Sequence, residues 1–261
     1  MKKSVLGGIV LGAVMVLSTL AARADDTIRF GIAAEPYPPF TSKDSSGKWV
    51  GFEVDLMDAV CANLKAKCEI VEVAWDGIIP ALQANKFDVI WSSMSITEKR
   101  KQTIDFTDKY YQTPAEVIGP KAASFNIDIK NPDSLKGKII GVQTSTIHQQ
   151  FVQKYFGAAA TVKVYDTQDN VNADLVAGRV DCEMADSIAL ADFLKTDAGK
   201  DFEVKWVAPK DPILGDGVGG GILKTNTALK DKLNGAIAAV RSSGEYDKIA
   251  KKYFDFNVYG S

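Results

Sequence analysis

The chain has 261 residues, 46% hydrophobic and 25% charged, with 31 basic and 33 acidic side chains for a formal net charge of −2. This mild acidity excludes nucleic acid and anionic membrane surfaces, which favour basic proteins. A single histidine and three cysteines make a poor zinc site, and no low-complexity tract points away from an ordinary globular protein.

Residues 1–24 read as a leader. Lys2 and Lys3 give a positive start, VLGGIVLGAVMVLSTL an apolar run, and Ala22-Arg23-Ala24 a small-x-small site, so a secretory signal peptide cleaved after Ala24 is expected. The run is shorter than the roughly 20 residues a membrane span needs. Residues 25–261 keep 28 basic and 33 acidic side chains, a net −5, and are expected as a soluble exported protein.

Strand and helix then alternate. IRFGIA (28–33) predicts a strand, and EVDLMDAVCANL (53–64) a helix with Val54, Leu56, Met57, Val60, Cys61 and Leu64 on one stripe. EIVEVA predicts a strand, DGIIPALQANK a helix with Pro80 in or near its tolerant first turn, and FDVIW a third strand. Cys61 and Cys68 stand at the end of the first helix and the start of the next strand, where a local disulfide is the natural pairing in an exported chain. This β-α-β-α-β order implies a mostly parallel sheet with helices on both faces.

The pattern restarts after YYQTPAEV. KIIGVQ (138–143), TVKVY and VDCEM predict strands; STIHQQFVQKYF, DNVNADLVAG and DSIALADFLK predict helices. Cys182 in VDCEM is expected as a buried free thiol. Leu229, Leu233, Ile237 and Val240 share one face of a helix that Gly244 stops, and EYDKIAKKYF predicts a short final helix. The expected fold is α/β with two lobes: residues 25–112 in the first, 113–210 in the second, and 211–261 returning to the first through GDGVGGGI. Crossings near 111–114 and 207–214 would form the hinge. Open α/β sheets bind ligands beyond the carboxyl ends of their strands, so two facing lobes create a cleft.

Four stretches carry candidate chemistry. In SSMSITEKR (92–100), Ser92, Ser93 and Ser95 form a loop after FDVIW, Thr97 caps a short helix with Glu98 in its first turn, and Arg100 can reach back over the loop. A guanidinium offers a planar, bidentate grip on a carboxylate. GVQTSTIHQ repeats the design, with Thr144, Ser145 and Thr146 before a helix whose first N–H groups attract an anion; Thr146 and Gln149 fit capping-box spacing. Asp186 is either a helix cap or a carboxylate for an ammonium. AAEPYPPF (33–40) brings Glu35, Tyr37 and Phe40, and Trp75 precedes DGIIP; two aromatic faces and a carboxylate suit a flat or cationic side chain.

YPPF, VGFEVDL, WDGIIPAL, SSMSITEKR, IDFTDKYY, SLKGKIIGVQ, AGRVD and KKYFDFNVYG occur in this order across nearly the whole chain after the leader. Through them the sequence resembles the periplasmic amino-acid-binding proteins of ABC transporters (solute-binding protein family 3), especially the branch for lysine, arginine, ornithine and histidine. The resemblance implies the periplasmic-binding-protein type II fold. It further implies a monomer that closes on a cationic L-amino acid and delivers it to an inner-membrane ABC permease, with no catalysis, cofactor or metal.

By position, Arg100 would clamp the α-carboxylate with the N–H groups of Ser95 and Ile147 and nearby hydroxyls. Asp186 and Ser93 would receive the α-ammonium, Tyr37 and Trp75 would sandwich the side chain, and Glu35 would face its distal cation. Ser92, Thr146 and His148 complete the expected ligand-binding set, and Cys61–Cys68 matches the disulfide of this branch. There are departures: the Glu35–Tyr37 segment looks one residue short, Ile147 replaces Thr or Ser, and Ser145 replaces a glycine. They leave open an opine or a neutral amino acid such as glutamine. An enzyme resembling cyclohexadienyl dehydratase, with Glu35, His148 and Asp186 as cleft acids or bases, and a sensor acting through another protein are the other readings.

Overall fold

The computed structural model describes residues 27–260, so the expected leader and its cleavage after Ala24 lie outside the described residues. The chain begins with β1 (Thr27–Ala33), a hairpin of β2 (Ser42–Lys43) and β3 (Trp49–Val50), α1 (Phe52–Leu64) and β4 (Lys67–Val73). A 3-10 turn over Trp75–Gly77 leads into α2 (Ile78–Gln83), then β5 (Val89–Ile90), α3 (Glu98–Lys101) and β6 (Asp105–Phe106). A second body follows: β7 (Ala115–Pro120), β8 (Ile139–Gln143), α4 (Ile147–Phe156), β9 (Thr161–Tyr165), α5 (Gln168–Val176), β10 (Cys182–Asp186), α6 (Ser187–Leu194) and β11 (Phe202–Val207). The chain returns with β12 (Gly221–Ile222), α7 (Thr227–Ser242) and α8 (Glu245–Ala250).

These strands form two five-stranded sheets, ordered β4-β1-β5-β12-β6 and β11-β7-β10-β8-β9. In each, four strands run one way: only β12 is reversed in the first and only β7 in the second. The α/β, two-lobe, mostly parallel expectation therefore holds, but β6, β7, β11 and β12 of these sheets and the β2–β3 hairpin escaped it. β12 lies in the run GVGGGI, which has no apolar alternation. Its glycines serve close packing: a Cβ on Gly219 would sit 2.9 Å from the Ile96 side chain. FDVIW contributes only Val89–Ile90 to the ladder, although Asp88 and Trp91 still donate to the Arg29 and Gly31 carbonyls at 2.9 Å.

The C-terminal helices return to the first lobe because their apolar stripe has nowhere else to bury. Leu233, Ile237 and Val240 of α7 share one core with Phe30 and Ile32 of β1 and Leu56, Met57 and Val60 of α1; each such side chain contributes about 1.5–3 kcal/mol on burial. Gly51 lets α1 start hard against the preceding loop, since at its φ of 129° a Cβ would fall 2.2 Å from the Phe40 carbonyl oxygen. The return crossing is abrupt: Ile213 and Leu214 pack on the second core, while the Asp216 N–H already donates to Ile96 O at 3.0 Å. Cys61 and Cys68 form a disulfide. Cys182 is a buried free thiol that burial pushes up to about 12, which makes it inert.

Candidate ligand-binding cleft

The carboxyl ends of β1, β4 and β5 in one lobe and of β8, β9 and β10 in the other open into one cleft. Its empty space, counted out to the mouth and including open solvent there, is about 530 Å³. All eleven residues expected from the sequence line it.

On the first-lobe side, Arg100 is buried through packing of α3 beneath the serine loop. Thr97 caps that helix as expected, accepting from the Arg100 N–H at 3.1 Å. The guanidinium donates to Ser95 O at 3.0 Å and, across the cleft, to Ser145 O at 3.2 Å. That engages two of its five N–H donors, leaving the others for a carboxylate. Desolvation holds its pKa down to about 10 against the opposing pull of Asp186, so it stays a cation at neutral pH.

Ser92 and Ser93 are fixed from behind. Ser92 Oγ accepts from the Ala33 N–H at 3.0 Å, and the Ser93 hydroxyl donates to Glu53 at 2.9 Å. Glu35 Oε1 accepts from the Trp75 N–H at 2.9 Å, which ties the loop after β1 to the turn after β4. Tyr37 leans on Phe40, whose ring lies 5.9 Å away, and Phe40 is itself fully buried against Tyr111. The Trp75 indole lies 5.6 Å from the Arg100 guanidinium and donates across the cleft to Thr144 O at 3.1 Å.

On the second-lobe side, Thr146 caps α4, accepting from the Gln149 N–H at 3.0 Å. The capping box is not closed as expected. Gln149 Oε1 accepts from the N–H of Ser145 and not of Thr146, because Ser145 adopts a positive φ of 58° and turns its N–H inward. Ile147 opens α4, where first-turn N–H groups lack helical partners.

Asp186 stands at the N-cap of α6 but makes no capping bond. Its carboxylate instead accepts from the Tyr37 hydroxyl at 2.7 Å and faces His148 Nε2 at 3.6 Å. Of the two readings left open for Asp186, cap or cleft carboxylate, the geometry takes the second. Burial, with the Asp186 charge beside it, pushes the Tyr37 phenol far up, so Tyr37 is a neutral donor.

The cleft also holds residues that the sequence reading missed. Ala33, Pro36, Gln143 and Gln168 line it. Gln143 ends β8 and Gln168 begins α5 after β9, so the rule about strand carboxyl ends could have found both. Glu53, an acid in the first turn of α1, lies beneath Ser93 and was not among the candidates. Among the described residues no group of three or more His, Cys, Asp or Glu could hold a metal ion.

Residues 28–256 match the bacterial extracellular solute-binding proteins, family 3. The chain is 44% identical to the L-arginine-binding protein of Pseudomonas aeruginosa and 41% identical to the lysine/arginine/ornithine-binding periplasmic protein of Escherichia coli, with 100% of both chains covered in each case. Among solved structures it is similar to an ancestral arginine-binding protein bound to arginine, with a TM-score of 0.80 and 34% identity over 87% of this chain and 98% of that one.

Proposed function

The chain belongs to family 3 of the bacterial extracellular solute-binding proteins, and from that premise we propose that it captures a cationic L-amino acid between its lobes. Arginine, lysine, ornithine and histidine are the candidate ligands. The observation that carries this reading is a buried guanidinium, Arg100, on one wall and a buried carboxylate, Asp186, on the other, in a single cleft. A zwitterion meets both charges with matched partners, which avoids the several kcal/mol that an unpaired buried ion costs, roughly 3–5.

In this reading Arg100, the Ser95 and Ile147 N–H groups and the Ser92 hydroxyl take the carboxylate, beside Thr146, whose own hydroxyl donates to Gln143 O at 2.8 Å. Asp186 and Ser93 take the ammonium, Tyr37 and Trp75 cover the side chain, and Glu35 meets its distal charge, with His148 at the rim of the ammonium subsite. The lobes comprise residues 25–112 with 211–261, and 113–210, and close by hinge bending. The relatives are named as binding proteins rather than enzymes, so the function is capture without conversion. Export with removal of residues 1–24, monomeric action in the periplasm and delivery to an inner-membrane ABC permease complete the proposal; the Cys61–Cys68 disulfide suits such an oxidising compartment.

Thermal-shift screening of the protein, stripped of carried-over ligand, against the common amino acids, ornithine and an arginine-derived opine tests the assignment. The largest shifts are expected from the cationic L-amino acids. A neutral amino acid or the opine as sole strong hit overturns the cationic assignment.

A further inference from the structure

Below the floor of the cleft lies a carboxyl that the ligand reading does not use. Glu53 stands in the first turn of α1 and is fully buried. Its Oε1 accepts from the Ser93 N–H at 2.8 Å and the Tyr110 hydroxyl at 2.6 Å; its Oε2 accepts from the same N–H at 3.0 Å and the Ser93 hydroxyl at 2.9 Å. A first-turn acid gains from the helix dipole while facing solvent. This one turns inward and concentrates its acceptors on one cleft residue. Ser93 has a φ of 50°, a left-handed backbone uncommon for a residue with a Cβ, and the double grip on its N–H and O–H holds it there. With that hydroxyl proton directed at Glu53, the two lone pairs of the Ser93 oxygen are left as acceptors, one toward the neighbouring Tyr111 phenol and one for the cleft.

We propose that Glu53 is a positioning residue for the ammonium subsite: it makes Ser93 an acceptor and, when ionised, places negative charge behind it, so that ligand uptake expels a proton from Glu53. This rests on the reading of Ser93 and Asp186 as the ammonium subsite. Desolvation raises Glu53 to about 7 despite the hydrogen bonds from Tyr110 and Ser93 that oppose it, and the Asp186 charge adds to the rise. A cation arriving at Ser93 and Asp186 favours the ionised form. Affinity therefore rises as pH rises through about 7, and the proton that Glu53 holds in the free protein leaves on binding.

The other ionisable groups around Glu53 can be named. Tyr110 and Tyr111 face it from the segment after β6, Tyr37 from the loop after β1, and Tyr246 of α8 lies behind, donating to Tyr110 O at 2.6 Å. Burial raises all four phenols, which stay neutral. From the second lobe come Asp186 and, beyond it, His148.

Calorimetry with L-arginine near pH 6 and near pH 8, each in two buffers of different ionisation enthalpy, tests the proposal. The wild type is expected to bind more tightly at the higher pH, by about tenfold at most for a single proton with this midpoint, and to release part of a proton. Glu53→Gln should lose that slope. Tyr110→Phe removes a donor that favours the carboxylate, so its profile should shift to higher pH; it carries the test if Glu53→Gln does not fold. No proton release by the wild type, or a slope intact in Glu53→Gln and a midpoint unmoved in Tyr110→Phe, overturns the role of Glu53. Asp186→Asn tests the underlying reading separately. Full affinity in that variant overturns the ammonium subsite itself, whereas lost affinity there with a flat wild-type profile overturns Glu53 alone.

Discussion

On the first-lobe wall of the cleft, Glu35 is tied to the Trp75 N–H and Ser93 to Glu53, bonds made within one lobe. On the opposite wall Asp186 takes its hydrogen bond from Tyr37, and the Thr144 and Ser145 carbonyls take theirs from Trp75 and Arg100, all from across the cleft. His148 Nε2, also on that wall, is buried without a hydrogen-bond partner. The contrast separates two tasks. Glu35 and Ser93 are held by their own lobe, which limits the ordering cost of binding. The Thr144–Ser145 loop is tied down within its lobe by Gln149, but its carbonyls and Asp186 gain their cleft partners only from the facing lobe, which couples ligand capture to lobe position.

Arg100 belongs to both descriptions, so its loss should have the largest effect. Arg100→Ala leaves the ligand carboxylate buried without its charge partner, a loss of about 2–5 kcal/mol, or roughly 30- to 5000-fold in affinity. Calorimetry with L-arginine measures it. Affinity within tenfold of wild type would remove Arg100 from the carboxylate site and leave the first wall without its anchor.

The disulfide lies in the first lobe, at the far end of α1 from Glu53. Replacing both Cys61 and Cys68 by Ala opens a loop of sequence separation 7, for which chain entropy predicts a loss of about 2.5 kcal/mol of stability. The melting temperature should fall while affinity at 25 °C stays unchanged, because the wall residues are held by their own hydrogen bonds. A matching loss of affinity would show that the first wall is not self-supporting.

Each wall also rests on a buried acid, and these two differ as the walls do. Glu53 has Ser93 and Tyr110 donating to it; Glu183 of β10 is raised well above the usual carboxylate range by burial alone, faced by the Asn172 amide, which donates at 2.9 Å when its nitrogen is turned toward it. An acid raised in the folded state contributes stability fully present below its unfolded pKa, near 4.5, and lost as pH rises toward the folded value. The loss amounts to at most about 1.4 kcal/mol per pH unit per group. Glu183→Gln should therefore match the wild type at about pH 4.5 and become the more stable protein as pH rises to neutral, by thermal melts without ligand. Parallel melting curves would mean that Glu183 is ionised in the fold.

How far the sequence revealed these features follows from the range of the interactions involved. Local periodicity marked α1, α7 and the strands β1, β4, β8, β9 and β10, and polar residues after those strands marked the cleft side chains, because loop residues at strand ends reveal themselves by type. β12 was invisible: Gly221, the last of three consecutive glycines, takes strand geometry with Ile222 only through β5 and β6, which lie more than a hundred residues earlier. Glu53 carried no signal of its own, because a first-turn acid satisfies the helix whichever way it faces. For Asp186 the sequence permitted two roles, and only the unmade capping bond separates them.

The smallest expected effect isolates the coupling between the walls. In the proposed reading Trp75 has two functions in the cleft: an aromatic face for the ligand side chain and an indole N–H that reaches Thr144 O at 3.1 Å. Trp75→Phe keeps an aromatic face and removes the donor, so it deletes a bond that exists only while the lobes are together. A hydrogen bond of this kind contributes about 1 kcal/mol, which weakens affinity about fivefold. Because the bond forms after the ligand has met the first wall, the change should fall on the dissociation rate, with association little altered. Stopped-flow kinetics with L-arginine separates the two rates. If the variant slows association and leaves dissociation alone, Trp75 acts on the open form, and the division between a self-supporting wall and one completed on closure fails at the residue that joins them.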